Sequence, residues 1–307
     1  MAKSTTKSHS DSLQASTSVK RSSAGGLFPK PNEAVSLVYD IYDGRGRLVP
    51  RQKVYKTPTE KQRRSPPKDL PKQEKIRVTS DGDSWVNILW PLSAVAGYDH
   101  TFYDIIELNP RFYATGTAYP GDTFQQVRTE KDYRQNVASE SFRYFIVSAG
   151  GNDFIGGGAL FDLLRWRDEG DGNDPTTHIN VSWLQMSMDT LRSGYQEIAD
   201  DVRQLSSRRT TMLVNTYDYP IPRHNGVWLG KPLERRGYNL QADKVLIAKI
   251  MKHLIDAFYA TLLQVRHITV VDVRNTVKAG QWTDELHPKG KGAEAVAKKF
   301  MAAMGVV

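Results

Sequence analysis

The chain has 307 residues, 39% of them hydrophobic and 10% aromatic, enough for a proper core and either one large α/β domain with extensions or two small domains. It contains no cysteine, which excludes disulfides and thiolate metal sites. The net charge of +8 is unevenly placed: of 42 Lys and Arg and 34 Asp and Glu, residues 1–75 hold 16 and 7, leaving 26 and 27 for the remainder. The larger part is nearly neutral, which argues against its gripping nucleic acid.

Residues 1–33 are rich in Ser, Thr and Lys with few apolar side chains, so a disordered basic tail is predicted. In residues 34–75, Val35, Leu37, Tyr39 and Ile41 alternate before the turn Asp43-Gly44-Arg45-Gly46-Arg47, and Leu48-Val49 follows. That pattern predicts a β-hairpin. A Pro-punctuated basic linker over 57–75 comes next; its charge around Arg63-Arg64 suits nucleic acid, anionic lipid or a partner, or simply solvation, and the whole N-terminal extension is a candidate tether to an anionic surface. The N-terminus lacks the apolar region of a secretory signal, and no run of about 18 apolar residues occurs. A cytoplasmic protein without a membrane span is the expectation, and signal-independent export would leave no readable mark.

From Ile76 onward, short apolar runs alternate with helical stretches. Strands are predicted over 76–79, 111–115, 144–148, 211–216 and 267–273, each apolar enough to be buried on both faces of a parallel sheet. Helices are predicted over 181–205, 242–265 and 293–304. In the first of these Leu184, Met188, Leu191, Tyr195, Ile198 and Val202 recur at spacings of three and four. The alternation predicts a three-layer α/β/α sandwich over 76–307 with a five-stranded parallel sheet. Ligands in such sheets sit beyond the C-terminal strand ends.

Four short blocks fall at those ends or in the loops beyond. They are Gly82-Asp83-Ser84, Gly121-Asp122-Thr123, Gly150-Gly151-Asn152-Asp153 and Asp284-Glu285-Leu286-His287. Ser84 follows a strand and a tight turn, where a hydroxyl is presented at the sheet edge; the competing reading is a helix cap at Trp85. A serine hydroxyl needs a base within reach. Of seven histidines, His287 is the best base, because Asp284 three residues earlier can set its tautomer. The alternative is a surface Asp/His pair before a helix. His224, behind Tyr217-Asp218-Tyr219-Pro220-Ile221-Pro222, is the rival base, with no acid at comparable spacing.

Together these blocks resemble the SGNH (GDSL-type) hydrolase family over roughly residues 76–307, including Asp-x-x-His-Pro before the closing helix. The resemblance implies a flavodoxin-like fold and a serine ester hydrolase working through an acyl-enzyme, with Ser84, Asp284 and His287 catalytic. It implies an oxyanion hole from the Ser84 and Gly121 N–H groups and the Asn152 amide, and no cofactor. The implied substrate is a small-molecule or polymer-linked ester. A catalytically idle binding or scaffold protein with a basic tether is the alternative.

This chain departs from the pattern at Thr117, where the family often has Asn, and at Trp85, where it often has Leu. Trp85 either packs beneath the nucleophile loop or walls the acyl pocket. Tyr119, Phe154, Tyr217, Tyr219, Trp228 and Trp282 are candidates to line the site. Asp83 and Asp153 are read as structural. Gly156-Gly157-Gly158 lacks the Gly-Lys-Ser/Thr of a phosphate loop, and the acidic stretch 168–174 misses the spacing of a calcium loop.

Overall fold

The computed structural model describes residues 75–88, 97–139, 141–156 and 158–306. The predicted tail, hairpin and linker lie outside these residues. Five parallel strands form one sheet: β1 (Ile76–Gly82), β2 (Phe112–Gly116), β3 (Tyr144–Ser148), β4 (Thr211–Asn215) and β5 (Ile268–Val271). Their spatial order is β2-β1-β3-β4-β5, the doubly wound order in which the sheet changes direction beside β1. Register sets Ser80 of β1 against Gly116 of β2, and Gly82 against Ser148 of β3. The C-terminal ends that carry the first three sequence blocks are therefore side by side.

Burial explains why these runs are strands. All five residues of β3 are buried, and β1 is buried from Val78 onward, as expected for strands covered on both faces. β2 alternates buried and half-buried positions at one edge. The helices are α1 (Phe102–Leu108), α2 (Phe124–Glu130), α3 (Arg134–Ala138), α4 (Gly151–Phe154), α5 (Ala159–Leu163), α6 (Val181–Leu205), α7 (Gly230–Arg235), α8 (Lys244–Leu262) and α9 (Lys291–Ala303). α6 matches its predicted span and buries the six predicted stripe residues. Its Tyr195 meets Phe258 of α8 with ring centroids 6.3 Å apart. α1 and α9 pack on each other, with Phe102 stacked on Phe300 at 4.5 Å. Each such fully buried side chain contributes about 1.5–3 kcal/mol. The sheet between these helix layers makes the three-layer sandwich.

One glycine fixes the turn that leaves β1. Gly82 has φ +134°, and a Cβ there would lie 2.0 Å from the Ser148 carbonyl oxygen. That same oxygen accepts the Asp83 N–H at 2.7 Å, so the turn is pinned to the end of β3. Gly82→Ala combines a forbidden backbone angle with a clash against backbone that cannot retreat. We expect it to lower unfolding free energy by about 3 kcal/mol or more, read by denaturant titration. A loss below about 1 kcal/mol would mean the turn relaxes freely.

Candidate active site

Ser84 stands in the turn after β1, half-buried. Its Oγ lies 2.8 Å from His287 Nε2. On the other side of the imidazole, Nδ1 lies 2.8 and 2.9 Å from the two Asp284 oxygens. Asp284 Oδ1 also accepts the Leu286 and His287 N–H groups, each at 2.8 Å. Burial alone would raise the Asp284 pKa. The His287 hydrogen bond and charge, with those two N–H donors, outweigh it and hold the carboxyl well below the usual range. An ionised carboxylate can only accept, so Nδ1 carries the imidazole proton and Nε2 is free to accept from Ser84.

The loop after β2 is tied to the turn that carries Ser84. Tyr119 N–H donates to Gly82 O at 2.9 Å, and Asn87 Nδ2 donates to Ala118 O at 2.7 Å. Asn152, in α4 after β3, donates through Nδ2 to Asp122 O at 3.0 Å. An amide nitrogen has a second hydrogen, which that bond leaves unused. Among the described residues the Ser84 and Gly121 N–H groups make no hydrogen bond. Thr117, where the resemblance expects Asn, turns instead to β1: its N–H and hydroxyl both donate to Ser80 O, at 2.8 and 3.3 Å.

Asp83 and Asp153 brace these loops. Asp83 accepts from Trp85 N at 3.0 Å, Ser148 Oγ at 3.2 Å and the Tyr217 hydroxyl, while Asp153 accepts from Phe124 N at 2.7 Å. Burial pushes each carboxyl up to about 6 despite these donors. In the unfolded chain Asp83 ionises near 3.8, so between these values the folded protein binds more protons. The stability this group contributes is complete below 3.8 and disappears as pH climbs through about 6. Wild type should lose about 3 kcal/mol to Asp83 over that rise. Asp83→Asn should lack this component, measured as urea unfolding at about pH 4 and pH 7; identical slopes in both proteins would contradict it.

Two recesses flank the Ser84–His287 pair, and both also touch Trp85. One is walled by Asn152, Ile155, Tyr217, Pro220 and Ile255. The other, narrower, is walled by Ile88, Tyr98, Phe102 and Pro288. Trp85 borders both recesses and packs beneath the loops, 7% exposed. Its Nε1 donates to Leu286 O at 3.0 Å, and its ring meets Tyr217 edge-on at 5.1 Å, with Trp282 behind at 6.4 Å. Of the six other aromatic candidates, Tyr217 borders the first recess. Tyr119, Phe154 and Trp282 are buried in the core, and Tyr219 reaches Asp256 at 2.8 Å. Trp228 packs partly buried against the core. The rival His224 is 79% exposed and pairs with Glu234 at 2.6 Å, a partner ten residues ahead rather than three behind.

The chain matches the family model described as GDSL-like Lipase/Acylhydrolase over residues 84–300. It belongs to that family. The protein is accordingly an ester-acting hydrolase of the GDSL type. No curated protein matches the chain. Among solved structures it is similar to a putative arylesterase from Agrobacterium tumefaciens, at 12% identity over 76% of this chain and 99% of that one, TM-score 0.46. It is also similar to an acetylxylan esterase from Geobacillus stearothermophilus, at 12% identity over 76% and 98%, TM-score 0.41. A third is a putative acylhydrolase from Bacteroides fragilis, at 16% identity over 77% and 91%, TM-score 0.41.

Three residues of this GDSL site escaped the sequence reading of its chemistry. The Tyr217 hydroxyl links Asp83 to the Gly151 N–H, which it accepts at 3.2 Å, and Tyr217 holds φ +59°, a costly angle for a bulky residue. Glu285, 2% exposed, accepts four N–H groups of one turn: Arg223 and Gly230 at 2.8 Å, Trp228 at 2.9 Å and Leu229 at 3.0 Å. Tyr98 donates to Asp284 Oδ2 at 2.9 Å. Position after β4 was the only signal for Tyr217; nothing local marks Tyr98 or Glu285. Among the described residues no three His, Asp or Glu side chains form a metal-holding group, and no helix is long and apolar enough to cross a membrane.

Proposed function

We propose that the protein cleaves carboxylic esters through an acyl-enzyme on Ser84. The observation that supports this most directly is the unbroken relay from Ser84 Oγ to His287 Nε2 at 2.8 Å and from Nδ1 to Asp284. Ser84 Oγ attacks the ester carbonyl while Nε2 takes its proton. The developing oxyanion is received by the Ser84 and Gly121 N–H groups and the Asn152 amide, the largest electrostatic contribution to such a step. The imidazolium, steadied by Asp284, hands the proton to the departing alkoxide as its C–O bond breaks. Water then attacks the acyl-enzyme, His287 takes a proton from it, and the acid leaves as Ser84 recovers its hydrogen.

The recess walled by Asn152, Ile155, Tyr217 and Pro220 opens directly beside Ser84 and His287, where a bound ester would meet both. An alkyl phosphonate fluoride tests the proposal, because it phosphonylates an activated serine with loss of fluoride. The adduct mass is expected on the peptide holding Ser84, and in no peptide of the His287→Ala variant at the same dose. Labelling elsewhere, or equal labelling of both proteins, would reject the reading.

A further inference from the structure

Three of the four hydrogen-bond donors to Asp284 come from its own turn: the Leu286 N–H, the His287 N–H and His287 Nδ1. They shape the 284–287 loop but do not say where that loop sits relative to Ser84. The fourth donor does, because Tyr98 reaches Asp284 from 186 residues away in sequence. Its ring also stands edge-on to the His287 imidazole, centroids 5.4 Å apart and planes at 86°.

The neighbours of Tyr98 hold the same two loops. Asp99 Oδ2 accepts the Gly290 N–H at 3.0 Å, three residues past His287. Thr101 Oγ1 donates to Val86 O at 2.9 Å, two residues past Ser84. Thr101 is in turn fixed as the N-cap of α1, in a reciprocal pair with Asp104. The stretch 98–101 thus grips the base loop at one end and the nucleophile turn at the other.

We propose that Tyr98 is a positioning residue for the ester-cleaving reaction, its hydroxyl setting the Asp284 carboxylate, and through it the His287 ring, at the right distance from Ser84. The proposal rests on the Ser84–His287–Asp284 reading above. Burial first, then the Asp284 charge, push the phenol up to about 12, so across the neutral range the hydroxyl keeps its proton and donates. A neutral donor is well matched to this role, since it anchors the carboxylate without neutralising the charge that stabilises the imidazolium. A hydrogen bond to an ionised group is also stronger and more directional than a neutral one.

Tyr98→Phe tests this, since it keeps the ring that borders the recess and removes only the hydroxyl. The expected result is a kcat for a short activated ester about tenfold lower, with KM within about twofold of wild type. The low-field proton resonance of His287 Nδ1–H should move as well, because Asp284 becomes a stronger acceptor when one donor is withdrawn. A merely structural tyrosine would lower the melting midpoint and leave that resonance in place. Wild-type kcat in Tyr98→Phe, or an unmoved resonance, overturns the proposal. Ser84→Ala run beside it separates the two levels: full activity in Ser84→Ala overturns the nucleophile assignment, and with it any role for Tyr98 in the reaction.

Discussion

Ser84→Ala is expected to hydrolyse short activated esters at least about a thousandfold more slowly than wild type, with an unchanged melting midpoint. A methyl group cannot attack a carbonyl, and the hydroxyl it replaces is the one 2.8 Å from His287 Nε2. The residual rate comes from the oxyanion donors, which still polarise a bound ester toward attack by water. Stability should hold because Ser84 is half-buried and its backbone turn is kept by Asp83, not by the hydroxyl. Steady-state turnover with thermal melting on the same samples checks both halves. A variant that retains a tenth of wild-type turnover would place the nucleophile elsewhere.

Asp284→Asn should lower kcat by about a thousandfold to ten-thousandfold with little change in fold. The wild-type carboxylate offers only lone pairs to a ring of donors: two N–H groups, Nδ1–H and the Tyr98 hydroxyl. An amide has one oxygen and an NH₂, so at least one donor then faces another. The easiest escape moves the imidazole proton from Nδ1 to Nε2. That places a proton where the base must accept one, and Ser84 loses its activation. Comparing kcat of Asp284→Asn and Asp284→Ala measures this, with the Asn variant expected to be no better than the Ala. A loss under about tenfold would mean that His287 keeps its tautomer without help.

The parts of this site legible in the sequence are those whose chemistry demands a residue type beside a strand end. Ser84 and Asn152 follow that rule, His287 is marked instead by Asp284 three residues before it, and the 181–205 helix shows itself through an apolar stripe from Leu184 to Val202. What was hidden has physical reasons. α1, α2, α3 and α5 are five to seven residues long, too short to show a helical period. The predicted strand 267–273 shrinks to Ile268–Val271 because His267 sits at φ +69°, which no strand accommodates. The predicted 211–216 strand stops at Asn215, just before Tyr217 enters the left-handed region. Tyr98 is unmarked in the sequence, and Tyr217 is marked only as a candidate lining ring, because their hydrogen-bond partners lie 186 and 134 positions away, and no local spacing encodes such a pairing.

The Glu285 anchor has a consequence for how the 223–230 turn can change. Its four donors are main-chain groups, supplied by any amino acid except proline, so the grip does not depend on which side chains the 223–230 turn displays. Both glycines there are barred from growing: a Cβ on Gly226 would sit 2.1 Å from the Glu285 carboxyl carbon, and one on Gly230 would sit 1.9 Å from Arg223 O. Outward-facing Val227, 60% exposed, is free of that restraint. Substitution at that position can therefore change the outer face of the turn while the histidine beside Glu285 stays where it is.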